Sequence, residues 1–363
     1  MNRLARTLAV AVLAVAACAG SAGAAAVPPG PRLATVALTE TPRLGGEDSD
    51  SVVSVQTLDP GGRGRQVLAS SAPESEKRIS PTPFHGAAWS ADGSFVAFAG
   101  AVGDTQRIYF ANADGTGLRA VPGTKGGYRP VVSPDGHTIA FVRQRFRSHI
   151  EIDHPERTRF YSSATTWVAD LSGGGARLTP WRNGLSNEPS SFSPDGSTVA
   201  LTKSDEKLDG PRVVLARLDG SGSTELVQLA EEASFSPDGS RLAFIGYADL
   251  DVVEAEENRN YTAGELYTIN ADSTGLRRLT RSDDILESAP GWDPSGQRIA
   301  YVRAKADTSF VPVLGLLFPT GNSIMQVNAD GTCNRKVISL RKVAFYGVSW
   351  QPGPGREAGP IAC

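Results

Sequence analysis

Cysteine, histidine and methionine are scarce in this chain, with 3, 4 and 2 copies among 363 residues. So few cysteines exclude a disulfide-dense scaffold and a multi-cysteine zinc module. A basic excess is missing too, because 36 Lys and Arg face 39 Asp and Glu for a formal charge of −3. Nucleic acid is therefore not an expected partner, since its binders carry a clustered positive footprint. No Gly-x-Ser-x-Gly elbow occurs, which removes the usual α/β-hydrolase nucleophile. Beyond the N-terminus no apolar run approaches the ~20 residues that a spanning helix needs.

The first 26 residues are different in kind. Arg3 and Arg6 precede an apolar stretch from Leu8 to Ala17, and small residues fill Ala19 to Ala26. This is the layout of a secretory signal peptide, with cleavage expected after Ala24 or Ala26. A second route is also visible, because Val15-Ala16-Ala17-Cys18 resembles a bacterial lipobox that would leave Cys18 lipidated. Either route predicts an extracytoplasmic protein: secreted, periplasmic or lipid-anchored at the surface. Loss of residues 1–26 removes two arginines and no acid, so the mature formal charge falls from −3 to −5. Cys333 and Cys363 remain as a candidate disulfide in an oxidising compartment, tying a tail of residues 354–363 to the body.

What the chain has in quantity is glycine and proline, 39 and 24 residues. Most of this excess belongs to one recurring turn. It reads Ser90-Ala91-Asp92-Gly93, Ser133-Pro134-Asp135-Gly136, Ser193-Pro194-Asp195-Gly196, Ser236-Pro237-Asp238-Gly239, Asp293-Pro294-Ser295-Gly296 and, degenerate, Gln351-Pro352-Gly353. The starts lie 43, 60, 43, 57 and 58 residues apart, a period typical of propellers and solenoids. A large apolar residue precedes each turn: Trp89, Val132, Phe192, Phe235, Trp292 or Trp350. An apolar run with a central alanine follows, as in Val96-Ala97-Phe98 and Ile299-Ala300-Tyr301. Two strands joined by such a turn make a β-hairpin. A third strand, such as Leu266-Tyr267-Thr268, and a short fourth complete a four-stranded antiparallel blade.

Five complete repeats leave a fragment at each end. Tyr346 to Trp350 supplies one first strand, whereas Arg32 to Val36, Val53 to Leu58 and Arg65 to Leu68 read as strands two, three and four. The expected fold is thus all-β: a six-bladed β-propeller over residues 32–353, closed by one C-terminal plus three N-terminal strands. The Ser-Pro-Asp-Gly hairpins followed by Val/Ile/Leu-Ala-Phe resemble the Asp-Pro variant of WD-type repeats in TolB-like six-bladed propellers. The resemblance covers about residues 32–353 and speaks to fold more than to activity. TolB itself carries an α/β domain ahead of its propeller, whereas little more than a signal is expected here.

Candidate site residues fall into two sets. The residues entering the inner strands, His85, Tyr128, Arg129, Glu188, Glu231, Glu232, Glu287 and Tyr346, form an expected ring at the channel mouth. Converging carboxylates repel unless they are protonated, paired with Arg129 or bound to a cation. Glu188, Glu231 and Glu287 are metal candidates on this reading, and the TolB-like resemblance implies calcium in the channel. The second set lies in long connections between strands two and three: a basic one from Arg143 to Thr166, an acidic one from Gly246 to Gly264 and an apolar one from Arg303 to Ser323. In the basic one, His149, Glu151, Asp153 and His154 form a polar cluster, and the period-two spacing of His149, Glu151 and Asp153 suits a metal or a ligand, or a solvated hairpin. The expected function is a monomeric, non-catalytic binding or scaffold propeller presenting its loop-built face to an envelope or secreted protein, or to a glycan. The alternatives are a hydrolase or lyase acting on a glycan or small ester, and a small-molecule sensor.

Overall fold

The computed structural model describes residues 32–42, 49–72, 79–81, 86–151, 154–171, 176–178, 186–204, 210–247, 264–282, 285–305, 323–339, 343–352 and 360–363; over 40–42, 49–51, 80, 144–151, 154–163, 176–178, 186, 285 and 305 only the backbone is described. The secondary structure of these residues is β throughout, arranged as six four-stranded antiparallel blades. Blade 1 has a broken inner strand, Ser80–Pro81 and Ala88–Trp89, then Phe95–Val102, Thr105–Asn112 and Arg119–Ala120. Blade 2 comprises Gly127–Val132, Thr138–Glu151, His154–Asp170 and Ala176–Leu178; blade 3 comprises Ser186–Phe192, Thr198–Ser204, Arg212–Arg217 and Ser223–Gln228. Blade 4 runs through Ala230–Phe235, Arg241–Tyr247, Gly264–Asn270 and Arg277–Arg278, and blade 5 through Ile285–Trp292, Arg298–Lys305, Ser323–Asn328 and Arg335–Ser339. Blade 6 closes the ring with Val343–Trp350 as its inner strand, followed by Leu33–Pro42, Ser49–Leu58 and Gln66–Ser70.

The repeated turn holds itself together. In blades 1 to 4 the serine hydroxyl donates to the aspartate two residues on, at 2.7, 2.5, 2.5 and 2.6 Å. The same serine oxygen accepts an amide from the start of strand two, as from Thr138 at 2.9 Å and Arg241 at 3.0 Å. Blade 5 exchanges the two residue types without losing the bonds. There Ser295 donates to Asp293 at 2.7 Å, and Asp293 accepts the Arg298 amide at 2.8 Å. A second motif caps the turn between strands three and four. Asn270, Asp272 and Thr274 are bonded among themselves at 3.0 and 2.6 Å, and Asn328, Asp330 and Thr332 repeat the arrangement.

Six apolar clusters hold the ring, one at each blade boundary. The central alanines of strand two, Ala97, Ala140, Ala200, Ala243 and Ala300, are fully buried, as is Ala34 in blade 6. Each lies in the cluster shared with the following blade, for example Ala243 beside Trp292 and Tyr301, and Ala34 beside Trp89 and Phe98. Large residues such as Phe98, Phe141, Phe244 and Tyr301 fill the opposite positions, each contributing about 1.5–3 kcal/mol through burial. Arginines near the start of strand two cover the next blade's tryptophan. Arg241 sits 4.7 Å above the Trp292 ring and Arg298 5.4 Å above that of Trp350.

Closure uses the same ladder as every other blade. Leu33 pairs with Trp350, Val36 with Tyr346 and Thr39 with Val343. The Thr35 hydroxyl donates to Gly347 O at 2.7 Å, and Gln351 Nε2 bridges to Gly93 O of blade 1 at 2.7 Å. The end of the chain is fixed as well. Cys333 and Cys363 form a disulfide across a Cα separation of 5.2 Å, while Asn328 exchanges two bonds with the Ile361 backbone at 2.7 and 3.0 Å.

Two stability experiments follow. Deleting residues 27–60 removes two strands of blade 6, and circular dichroism should then show no cooperative unfolding; a stable monodisperse truncation would contradict this closure. Ala243→Leu inserts bulk between blades 4 and 5, so the denaturant midpoint should fall by the equivalent of about 1–3 kcal/mol.

Candidate functional site

The inner strands meet at an axial cavity of about 600 Å³ lined by residues of all six blades. Each inner strand lies four residues ahead of its turn at this point, so aligned positions can be compared around the ring. Gly86, Arg129, Pro189, Glu232, Ala289 and Gly347 occupy the same place in blades 1 to 6. Arg129, Glu232, Ala289 and Gly347 have φ of 51°, 56°, 52° and 70°, and register shifts interrupt the pairing of their strands next to these residues. A left-handed bulge of this kind re-aims a residue at a cost of about 1–3 kcal/mol for a non-glycine. Where blades 6 and 1 meet, glycine is required outright. A Cβ on Gly347 would stand 2.5 Å from the Gly86 Cα.

Arg129 is the hub of the polar end of the cavity. Its guanidinium donates to Glu188 of blade 3 and to Glu232 of blade 4. Glu232 passes the connection on, accepting the Ala289 amide of blade 5 at 2.6 Å, and its own amide donates to Thr202 at 2.9 Å. Glu231 accepts the Tyr247 hydroxyl. Four blades are thereby joined across the mouth. Burial works against the charge of Arg129, but Glu188, Glu232 and Glu231 outweigh it and hold its pKa above the usual range. Burial, followed by the neighbouring Glu232, pushes Glu231 up to about 7, against the partial relief from Tyr247 and Arg129. Burial and the nearby carboxylates also raise the Tyr247 and Tyr128 phenols, which stay protonated as donors.

The sequence-derived ring is thus divided. Arg129, Glu188 and Glu232 are brought together in one network, with Glu231 beside Glu232 and Tyr128 within electrostatic reach of Glu188. Tyr346 lines the cavity on the opposite side. Glu287 belongs elsewhere, wedged between blades 4 and 5 with its carboxylate accepting the Leu266 amide at 3.0 Å and the Thr280 hydroxyl at 2.5 Å. Burial pushes it up to about 7. Among the described residues no group of three or more His, Cys, Asp or Glu is arranged to hold a metal ion; of the three metal candidates, Glu188 and Glu231 lie at the mouth, and Glu287 lies apart from them between blades 4 and 5. His85 and Asp153 lie outside the described residues. His149 and Glu151 end one strand of blade 2 and His154 begins the next; a register shift between His149 and Glu151 breaks the period-two spacing.

Sequence reasoning missed other lining residues. Pro134, Pro194, Pro237, Pro294 and Pro352 ring the turn side of the cavity. Their fixed offset from the inner strands was the available signal. Nothing in the sequence marked Tyr247, Thr202 or the Ala289 amide as partners of the glutamates.

No family model matches the chain, and no curated protein matches it in sequence. Among solved structures it is similar to TolB from Acinetobacter baumannii, with a TM-score of 0.62 at 15% identity, covering 88% of this chain and 66% of that one. A putative TolB from Agrobacterium tumefaciens gives 0.56 at 15% identity, covering 89% and 99%. Hydrazine synthase from Kuenenia stuttgartiensis gives 0.60 at 14%, covering 92% and 48%. The chain therefore spans just under two thirds of the Acinetobacter protein and about half of the synthase chain. At these identities the likeness is one of fold: a six-bladed propeller of the TolB-like kind. Among the described residues no helix is long and apolar enough to cross a membrane.

The raised carboxyls give a signed pH dependence. A folded-state pKa near 7 against 4.5 in the unfolded chain stabilises the fold fully below about 4.5, and this contribution is lost as pH rises through 7. The melting temperature should fall between pH 5 and pH 8, and Glu287→Gln should flatten the fall. An unchanged slope in that variant would refute the assignment to Glu287.

Proposed function

We propose that the protein is an exported, non-catalytic binding propeller whose axial cavity and surrounding rim take an envelope or secreted protein, or an envelope glycan. One observation carries this reading. The polar groups at the cavity mouth are bonded to one another, Arg129 to Glu188 and Glu232, Glu232 to the Ala289 amide, and Glu231 to Tyr247. Such an arrangement makes a rigid, structured floor, whereas acid–base chemistry needs a group set against an open reacting position. The cavity above that floor is large enough for a side chain cluster or a short segment of a partner, being about 600 Å³ within the usual range of ~300–1,000 Å³ for ligand sites.

Export follows from the signal layout of residues 1–26, and the Cys333–Cys363 bridge is consistent with an oxidising compartment. The enzyme alternative has one observation in its favour. Glu231, raised to about 7, has the acidity of a general acid at neutral pH. Its engagement by the Tyr247 hydroxyl weighs against that role.

Photo-crosslinking separates the two readings. A benzophenone amino acid at Ser190 or Val348, both on the cavity wall, should give discrete adducts with envelope components in the producing cell. Absence of adducts from both positions, together with a glycan- or ester-cleaving activity abolished by Glu231→Gln, would replace the binding reading with the enzymatic one.

A further inference from the structure

Blade 2 does not end where its neighbours do. Its inner strand pairs with strand two only as far as Gly127 opposite Arg143, and its fourth strand reaches only Leu178 opposite Trp167. The two middle strands continue in antiparallel register beyond those points, from Gln144 opposite Ala164 to His149 opposite Arg159. Apart from one bridge between Ala164 and Ser186, no other described strand pairs with this extension. It is a two-stranded ribbon rising from the end of the blade where Arg129 lies.

The register sorts its residues by face. At the base, Ile139, Phe141 and Ala169 belong to the cluster shared with blade 1, and Ala140 and Val168 to the one shared with blade 3, while Val142 and Ala164 at the foot of the extension also reach the blade 1 cluster. Alternation along the ladder puts positions Arg145, Arg147 and His149, with their partners Ser163, Tyr161 and Arg159, on the same face as Arg143. Gln144, Phe146 and Ser148, with Ala164, Ser162 and Phe160, fall on the other side. No acid shares the arginine face between residues 143 and 149 or their partners 159 to 165. Arg143 starts the row and is fixed at the base, its guanidinium 4.0 Å from the Trp167 ring centre. Blade 1 offers little height beside it, since its own strands two and three turn at Gly103-Asp104 between paired Val102 and Thr105. Val102 there is exposed.

We propose that this ribbon is a docking surface for an extended acidic peptide segment of a protein partner, which adds as a third strand along Gln144–Glu151 and brings its carboxylates to the face that holds positions Arg145, Arg147 and Arg159. Two features select a peptide. An edge that pairs with no strand among the described residues supplies a row of amide and carbonyl groups that a β-strand satisfies in full, and a single-sign face favours the opposite charge at every second residue of that strand. A lipid surface fits less well, because Glu151 and Glu156 stand near the outer end of the ribbon, where a membrane would be met. The inference does not depend on the axial cavity, so either reading can fail alone.

The test uses the full mature chain and a fluorescent octapeptide of alternating Glu and Val, read by anisotropy at low and physiological salt. Saturable binding is expected, weakened about tenfold or more by R145E/R147E/R159E and weakened by added salt. The same variant should gain binding to an alternating Lys and Val peptide, a result that an unfolded variant could not give. If the reversal disturbs the melting temperature, R145Q/R147Q/R159Q takes its place with the same loss expected. N-methylation of alternate peptide amides should abolish binding by blocking the edge. The proposal is overturned by absence of saturable binding, by equal binding of the N-methylated peptide, by indifference to the arginine variants, or by tighter binding of a uronic-acid oligosaccharide of equal charge, which would make the surface a glycan site.

Discussion

Six sheets can share one axis only if every boundary between them has the same thickness, and the buried alanine of strand two sets that thickness. Sheets packed face to face stand about 10 Å apart with side chains interdigitated. In a radial arrangement the gap narrows toward the axis, so a large residue on both facing positions would wedge the blades open. Ala34, Ala97, Ala140, Ala200, Ala243 and Ala300 each lie within the cluster shared with the next blade. A tryptophan, phenylalanine or valine before the repeated turn then fills the space on the partner sheet. One enlarged boundary would change the angle of the ring, and the pairing of Leu33 with Trp350, made last around the circle, would absorb the error.

The same convergence explains the axial cavity. Inner strands that meet near an axis run out of room for side chains, and the structure answers differently on its two halves. Blades 5, 6 and 1 place Ala289, Gly347 and Gly86 at the common bulge position, leaving open volume. Blades 2 and 4 place Arg129 and Glu232 there, and their side chains cross toward each other and toward Glu188. The left-handed backbone at Arg129 and Glu232 is strain that the ion network over-determines. Three glutamates around one arginine leave an excess of negative charge, and burial together with the neighbouring Glu232 raises Glu231 to about 7.

The fold was legible because it is repetitive, and the site was less so because it is not. Ser-Pro-Asp-Gly with its flanking apolar residues states a hairpin three times over, Ser90-Ala91-Asp92-Gly93 states it a fourth time, and even the exchange of Ser and Asp around Pro294 keeps the bonding pattern. The one-plus-three closure could be read from Arg32 to Val36 matching the strand two pattern. Arg129, Glu188 and Glu232 could be placed near the axis by their offset from the turns. Glu287 could not, because it lies two residues further from its turn than Glu232 does from its own, far enough to pass from the channel wall into the boundary between blades 4 and 5. Tyr247 and Thr202 come from strand two, where nothing in local spacing reports which side chains reach the mouth. The connection from Arg143 to Thr166 was visible as an insertion, yet its pairing as a continuous ribbon depends on the register between residues 144 and 164.

That ribbon also shows where such a ring can vary. The turn between strands one and two is saturated by bonds within itself, and the one between strands three and four is capped by its Asn, Asp and Thr side chains. An insertion at either would break those bonds and shift the packing residues beside them. Between strands two and three the only constraint is the ladder, which can be extended one hydrogen-bonded pair at a time without moving any residue of the ring. The cost of extension is an exposed edge on each side. Alternating arginines are a known guard against uncontrolled pairing of such an edge, and the same alternation makes it selective, because a strand that brings carboxylates to those positions is the one that is not repelled.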